Sequence, residues 1–259
     1  MVMTRGIRLI VALVMVIWMV GCEKGPTSGQ GELRVYMTDA PGTYDAVNIV
    51  IREVSVHSSV DGWKVINDST RTFNLLSLTN GASVLLGDAM LDAGHYTQIR
   101  LLLDSGSTVV VGGVSYPLTV PSGLQTGVKL THEFTLQADY TYELMLDFDA
   151  GRSVNQTGTG EYKLKPTIRV HPMATSGAIS GFVIPANSLS TITAIAGADT
   201  AGTVADSLTG MFKLIALPAA SYSVHIAPAD TLYRDTTLTG VQVIAGQTTN
   251  VGTIPLTLK

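Results

Sequence analysis

The feature that most restricts what this chain can fold into is a hydrophobic period of two. Residues 32–37 set Leu33, Val35 and Met37 against Glu32, Arg34 and Tyr36. Residues 46–57 repeat the pattern with Val47, Ile49, Ile51, Val54 and Val56, and the change of phase after Ile51 predicts a β-bulge. Successive side chains of a strand point to opposite faces, so each such run is a strand with one face to bury. The runs are short and end at turn formers: Thr38-Asp39-Ala40-Pro41-Gly42, Asp61-Gly62, Asn80-Gly81, Gly112-Gly113 and Ala138-Asp139. Long stretches of helical period are missing and Gly, Thr, Ser and Val are abundant, which predicts an all-β chain of sandwich type. Cys22 is the single cysteine, so no intrachain disulfide can form and core packing must hold the fold.

Trp63 and Val65 follow the Asp61-Gly62 hairpin signal, Phe73 to Leu78 is apolar, a strand is expected from Tyr96 to Leu103, residues 109–116 read as a hairpin about Gly112-Gly113, and a strand is expected over 163–170, with Pro166 placing it at an edge or bulge. Residues 84–91 fit a strand or one helical turn. Residues 128–136 and 142–148 read as a pair joined at Ala138-Asp139, and residues 241–258 as a closing hairpin about Ala245-Gly246-Gln247. The pattern restarts at Gly177 after a short linker, 172–176. That divides the chain into a domain over 32–171 and a second over 177–259, each long enough for one small core. Leu91-Asp92-Ala93-Gly94-His95-Tyr96 and Leu217-Pro218-Ala219-Ala220-Ser221-Tyr222 echo one another. Each Tyr is expected to tuck its ring on the core and bond its hydroxyl to nearby backbone, as in a tyrosine corner.

The N-terminus carries a different signal. Arg5 and Arg8 precede a run, residues 9–20, that is apolar without a break. About a dozen residues are too few for a hydrocarbon core that needs about 20. Basic start, short apolar middle and small-residue exit make a secretory leader over residues 1–21. Met19-Val20-Gly21-Cys22 resembles the lipobox of bacterial lipoproteins, which implies that Cys22 is lipidated and becomes the first residue of the mature chain. Palmitate-type acyl chains would then anchor it stably, since more than one chain is attached. Glu23 stands where Asp would signal retention in the inner membrane, so the resemblance implies the cell outer membrane. Residues 22–31 form a polar tether rich in Gly, Ser and Pro, which places the Thr38–Pro41 end near the membrane and the second domain farther out. The formal net charge is −4, and there is no basic stripe, so nucleic acid is excluded as a partner.

The first domain resembles the bacterial lipoprotein family of domain-of-unknown-function 4382. The residues that carry this are Val35-Tyr36-Met37-Thr38-Asp39-Ala40-Pro41, Ala93-Gly94-His95-Tyr96-Thr97-Gln98-Ile99-Arg100-Leu101 and Tyr116-Pro117-Leu118-Thr119-Val120-Pro121-Ser122-Gly123. Leu146-Asp147-Phe148-Asp149-Ala150 with Arg152-Ser153, and Leu164-Lys165-Pro166, complete them. The resemblance implies a secreted β-rich domain and no assigned activity. The second domain is similar to the carboxypeptidase regulatory-like domain, a transthyretin-like (prealbumin-like, Ig-like) β-sandwich. It matches through Gly177-Ala178-Ile179-Ser180-Gly181-Phe182-Val183, Thr209-Gly210-Met211-Phe212, Leu217-Pro218-Ala219 with Tyr222, and Val241-Gln242-Val243 with Gly246-Gln247-Thr248. Ala220 stands where that family has Gly before the Tyr. The resemblance implies an accessory module, whose parent enzymes keep their zinc ligands in another domain.

Candidate chemistry is sparse. Asp104-Ser105-Gly106 after Leu101-Leu102-Leu103 resembles an aspartic-protease loop, but that chemistry needs two carboxylates sharing a proton, and one motif supplies one. The bland reading is a strand ending in a tight turn. Asp147 and Asp149, two apart on one strand, could join Asp39 and Asp45 in an oxygen-ligand calcium site, or simply be solvated or paired with Arg152. His57, His95, His132, His171 and His225 lack metal-ligand spacing and read as surface or turn residues. Trp63, Tyr36, Tyr96, Tyr140 and Tyr142 could line a sugar-binding face, although core packing explains them as well. No catalytic constellation emerges. The expectation is a lipid-anchored, non-catalytic binding or structural module of the envelope, with a glycan or protein ligand. The competing expectation is a hydrolase using Asp104 or the Asp147/Asp149 pair.

Overall fold

A computed structural model describes residues 29–120 and 126–259. The leader, Cys22 and nearly all of the tether lie outside the described residues, as do Pro121, Ser122 and Gly123. The first strand, β1 (Gln30–Ala40), takes up the last two residues expected in the tether. It is followed by β2 (Ala46–Ser58), β3 (Gly62–Asn67), β4 (Arg71–Asn74), β5 (Val84–Asp92), β6 (Gly94–Leu103), β7 (Thr108–Val111) and β8 (Val114–Thr119). Next come β9 (Val128–Leu136), β10 (Thr141–Asp149), one turn of helix α1 (Ala150–Ser153), β11 (Val154–Gln156), β12 (Tyr162–Leu164) and β13 (Ile168–Pro172).

These strands form two facing sheets. One has the order β13-β10-β1-β5, with β1 and β10 parallel. The other has the order β11-β12-β8-β7-β2-β6-β9, with β3 and β4 also pairing to β2. Leu33, Val35, Met37, Leu144, Leu146 and Phe148 of the first meet Val47, Ile49, Val56, Ile99, Leu101 and Leu103 of the second, all fully buried. Each such side chain stabilises the fold by roughly 1.5–3 kcal/mol relative to exposure. The expected bulge is present: the register between β2 and β6 shifts between Ile51 and Glu53. Gly112 and Gly113 both have positive φ, 58° and 77°, and close the β7–β8 hairpin with the twist that only such residues allow cheaply.

The second unit contains β14 (Ser176–Ile184), β15 (Thr191–Ala196), β16 (Asp199–Val204), β17 (Met211–Pro218), β18 (Ser221–Ala227), β19 (Thr236–Gln242) and β20 (Thr248–Pro255). Its sheets are β17-β14-β20 and β16-β15-β18-β19, packed over Ile179, Val183, Ile192, Phe212, Val224 and Ile226. Gly210 turns into β17 at φ 72°, and a Cβ there would lie 2.1 Å from the Val183 carbonyl oxygen, so only Gly fits.

The all-β, two-sandwich architecture is as expected, and residues 84–91 resolve as strand. Three local expectations fail. β9 does not pair with β10; it pairs with β6, while β10 crosses to the facing sheet and runs parallel to β1. The last two strands likewise separate: β19 pairs with β18 and β20 with β14. The run 163–170 breaks around Pro166 into β12 and β13, which belong to different sheets, because Pro donates no ladder hydrogen bond.

Candidate functional site

The site with the most unusual chemistry lies where the second sandwich meets the first. In β10, residues Leu144 to Phe148 are buried without alternation, and so are Met37 to Ala40 of β1. A strand covered on one side only cannot show that pattern. The outer face of this sheet is covered by β16 and β17 of the second sandwich.

Asn80 makes the junction. Its backbone adopts φ 57°, its amide donates to Thr203 Oγ1 (2.8 Å), and its Oδ1 accepts from the Lys213 amide (2.6 Å). Its Nδ2 donates to the Met211 carbonyl (3.2 Å). The loop carrying Asn80 is tied to β1 by the Thr38 hydroxyl, which lies 2.8 Å from both the Leu78 and Ala82 carbonyl oxygens. The Thr38–Pro41 end of β1 therefore packs against the second sandwich, at the far end of an 11-residue strand from Gln30. Gln30, at the other end of the same strand, is the end next to the residues expected to form the tether.

Behind Asn80 is a cavity of about 10 Å³ bordered by Thr38, Asp39, Asp147, Thr203 and Lys213, room for a single water. Asp39 is 3% exposed. Its Oδ1 accepts from the Ala150 amide (2.9 Å), whereas Oδ2 is buried with no hydrogen-bond partner. Burial, with the Asp147 and Asp149 carboxylates adding to it, pushes its pKa up to about 8. Asp147 is also pushed up, to about 6, by burial; its ion pair with Arg169 opposes the shift. His171 is buried, not on the surface as expected. Burial and then the Arg169 charge push it down to about 4, so it is neutral near pH 7.

The four calcium candidates do not form a cage. Asp39 pairs in register with Phe148 and Thr38 with Asp147, so the Asp39 and Asp147 side chains take opposite faces of the sheet; Asp147 pairs with Arg169, and Asp149 caps α1 by accepting from the Arg152 amide (2.9 Å). Asp45 is occupied elsewhere, accepting from the Gly113 amide (2.8 Å) to hold the β7–β8 hairpin. Among the described residues, no three His, Cys, Asp or Glu side chains are grouped so that they could hold a metal ion.

Asp104 ends β6. Its Oδ1 accepts from the adjacent Ser105 amide (2.8 Å), and its own amide donates to the Val50 carbonyl (2.8 Å), so it acts as a turn residue. The five aromatic candidates do not share one face. Tyr96 and Tyr142 stack on the two sides of Phe134 at 5.3 and 5.0 Å. Trp63 lies under the Arg100 guanidinium at 4.3 Å, with His57 edge-on. Tyr140 and Tyr142 border a groove of about 270 Å³ with Glu143 and Met173, and the Tyr36 hydroxyl reaches Glu143 at 3.4 Å. Sequence reasoning missed Arg169 and Lys213 and misplaced His171 at the surface. The signal available for Asn80 was the Asn-Gly pair, read only as a turn.

A family model described as Domain of unknown function (DUF4382) matches residues 30–166, more than half of the chain. The chain belongs to the DUF4382 family. The matched DUF4382 stretch covers β1 to β12 and stops just short of β13, and a further β-rich region follows it. No curated protein matches the sequence. Among solved structures, the shaft pilin SpaA from Lactobacillus rhamnosus GG is similar at 10% identity over 90% of this chain and 98% of that one, with a TM-score of 0.26. The Bacillus anthracis TIE protein is 10% identical over 88% of this chain and 34% of that one, at 0.24. A type II cohesin–X-dockerin complex from Acetivibrio cellulolyticus is 21% identical over 32% of this chain, at 0.25, and the match spans 58% of that chain.

Proposed function

We propose that this DUF4382 protein is a lipid-anchored protein of the cell outer membrane that serves as a non-catalytic binding or structural module. The observation that carries the reading is the single cysteine, Cys22, standing directly after a short apolar run with a basic start. Two sandwiches held together at Asn80 suit a load-bearing or displaying role, because their surfaces are held relative to one another. The acidic residues that a hydrolase would use each hold structure: Asp147 pairs Arg169, Asp149 caps α1 and Asp104 closes its own turn. The 177–259 sandwich is read as a carboxypeptidase regulatory-like accessory. The groove beside Tyr140 and Glu143 joins aromatic rings to a carboxylate acceptor, the chemistry that favours a glycan ligand over a protein one.

The test is metabolic labelling with a palmitate analogue in cells producing the full chain. Labelled wild type and unlabelled Cys22→Ala are expected. Labelling that survives the substitution would contradict the anchor.

A further inference from the structure

The two ends of β10 meet different surroundings. At Asp147 the strand reaches the seam between the sandwiches and borders the small cavity behind Asn80. At Thr141 it runs beside the groove of about 270 Å³. The ladder between β10 and β13 stops at Leu144 and Pro172, and Met173–Thr175 turn away as one 3₁₀ turn. Thr141 to Glu143 therefore have β1 on one side and no strand on the other. The groove is the space that a longer β13 would fill, walled by Tyr140, Tyr142 and Glu143 of one segment and Met173 of the other.

Its walls combine rings with one charge. Tyr140 is 49% exposed, so its ring is open to a ligand, and the Tyr142 ring is fixed by stacking on Phe134. Glu143 is the one charged side chain among the lining residues. The guanidinium opposite it in register, Arg34, is committed elsewhere: its Nε and Nη2 each lie 2.9 Å from a carboxylate oxygen of Glu32, the two-pronged geometry that suits that pair. Arg34 Nη1 comes only within 3.7 Å of Glu143 Oε1, and the Tyr36 hydroxyl reaches the same oxygen at 3.4 Å. Glu143 Oε2 has no partner among the described residues.

We propose that the groove takes the end of a glycan through an amino sugar, whose ammonium group sits on the Glu143 carboxylate. This rests on the glycan reading of the groove given above and adds the class of sugar. The face of a tyrosine ring carries partial negative charge, which attracts both the C–H face of a sugar and an ammonium group. A ligand that covers Glu143 strips water from a charge, and a donor of opposite charge offsets that loss best. A neutral sugar brings hydroxyls alone. A uronic acid brings a second negative charge, so acidic glycans are turned away. The volume sets the length: clefts that enclose a whole small ligand span about 300–1,000 Å³, and this groove falls just below them, which suits the end of a chain.

Isothermal titration of the full-length protein in detergent, at low salt and pH 6, tests this. The probes are the β-1,4 dimer of glucosamine, cellobiose, which carries hydroxyls in place of the amines, and digalacturonate. The glucosamine dimer is expected to bind about tenfold more tightly than cellobiose, and digalacturonate not at all. Glu143→Gln, which keeps the shape and an acceptor without the charge, is expected to bring the glucosamine dimer down to the cellobiose level, while Asp104→Asn leaves its binding unchanged. Equal affinities for the two dimers, or a Glu143→Gln protein that keeps the preference, overturns the amino-sugar site and leaves a glycan ligand standing. No saturable binding of any of the probes overturns the site and the glycan reading together. Trilysine binding more tightly than the glucosamine dimer assigns the groove to a basic peptide and overturns the proposal. Amide NMR shifts on adding the glucosamine dimer to the wild type are expected at residues 140–143 and 173–174; shifts confined to other residues overturn this location.

Discussion

Arg169 is what allows Asp147 to ionise inside the seam. Removing one partner of a buried ion pair costs far more than the pair contributes, because the other charge stays buried alone. Arg169→Ala is accordingly expected to lower unfolding free energy by about 3 kcal/mol at pH 7, measured by urea denaturation. The loss should shrink at pH 5, where Asp147 takes up a proton instead. Equal losses at both pH values would mean that the pair holds the fold by packing alone. At this scale the sequence showed the carboxylates but not their roles. Asp147 and Asp149 read alike from their spacing, yet one is buried against an arginine 22 residues away and the other caps a helix. Spacing along one strand says which face a side chain takes, not what will cover that face.

Among elements, the tyrosine corners were legible because they are local. The Tyr96 hydroxyl donates to the Asp92 carbonyl (2.9 Å) and the Tyr222 hydroxyl to the Pro218 carbonyl (3.0 Å), each four residues back, with both rings buried. The second corner forms with Ala220 two residues before its Tyr. Tyr222→Phe keeps the ring and loses the bond, so it should cost about 1 kcal/mol, seen as a melting temperature lower by about 3 °C. An unchanged melting temperature would show that the corner is held by ring burial. The two mistaken hairpins have a common cause. A turn signal such as Ala138-Asp139 or Ala245-Gly246-Gln247 fixes a change of direction, and the chain can use it to return within one sheet or to cross to the facing one. Asp139 has φ 59° and its amide bonds to Gln30, on the strand of the facing sheet beside which β10 then runs, so the crossing is set by a contact over a hundred residues away.

For the whole molecule, the restart of the strand pattern at Gly177 revealed two sandwiches, but nothing in either pattern revealed how they join. The join uses Asn80, whose left-handed backbone and side chain together contact β16 and β17. Asn80→Gly keeps the backbone shape and removes the side-chain bonds to Met211 and Lys213. Calorimetry is expected to show one cooperative transition for wild type and two resolved transitions for Asn80→Gly; a single transition in both would place the coupling elsewhere in the seam. Gln30 and the Thr38–Pro41 segment stand at opposite ends of β1, and it is the Thr38–Pro41 segment that meets the second sandwich. The central claim remains attachment, and fractionation of cells tests it most directly. Full-length wild type is expected in the outer-membrane fraction, resistant to high salt and released by detergent, whereas Cys22→Ala is expected to leave that fraction. A wild-type protein that washes off with salt, or a Cys22→Ala protein that stays in the membrane, would contradict the account.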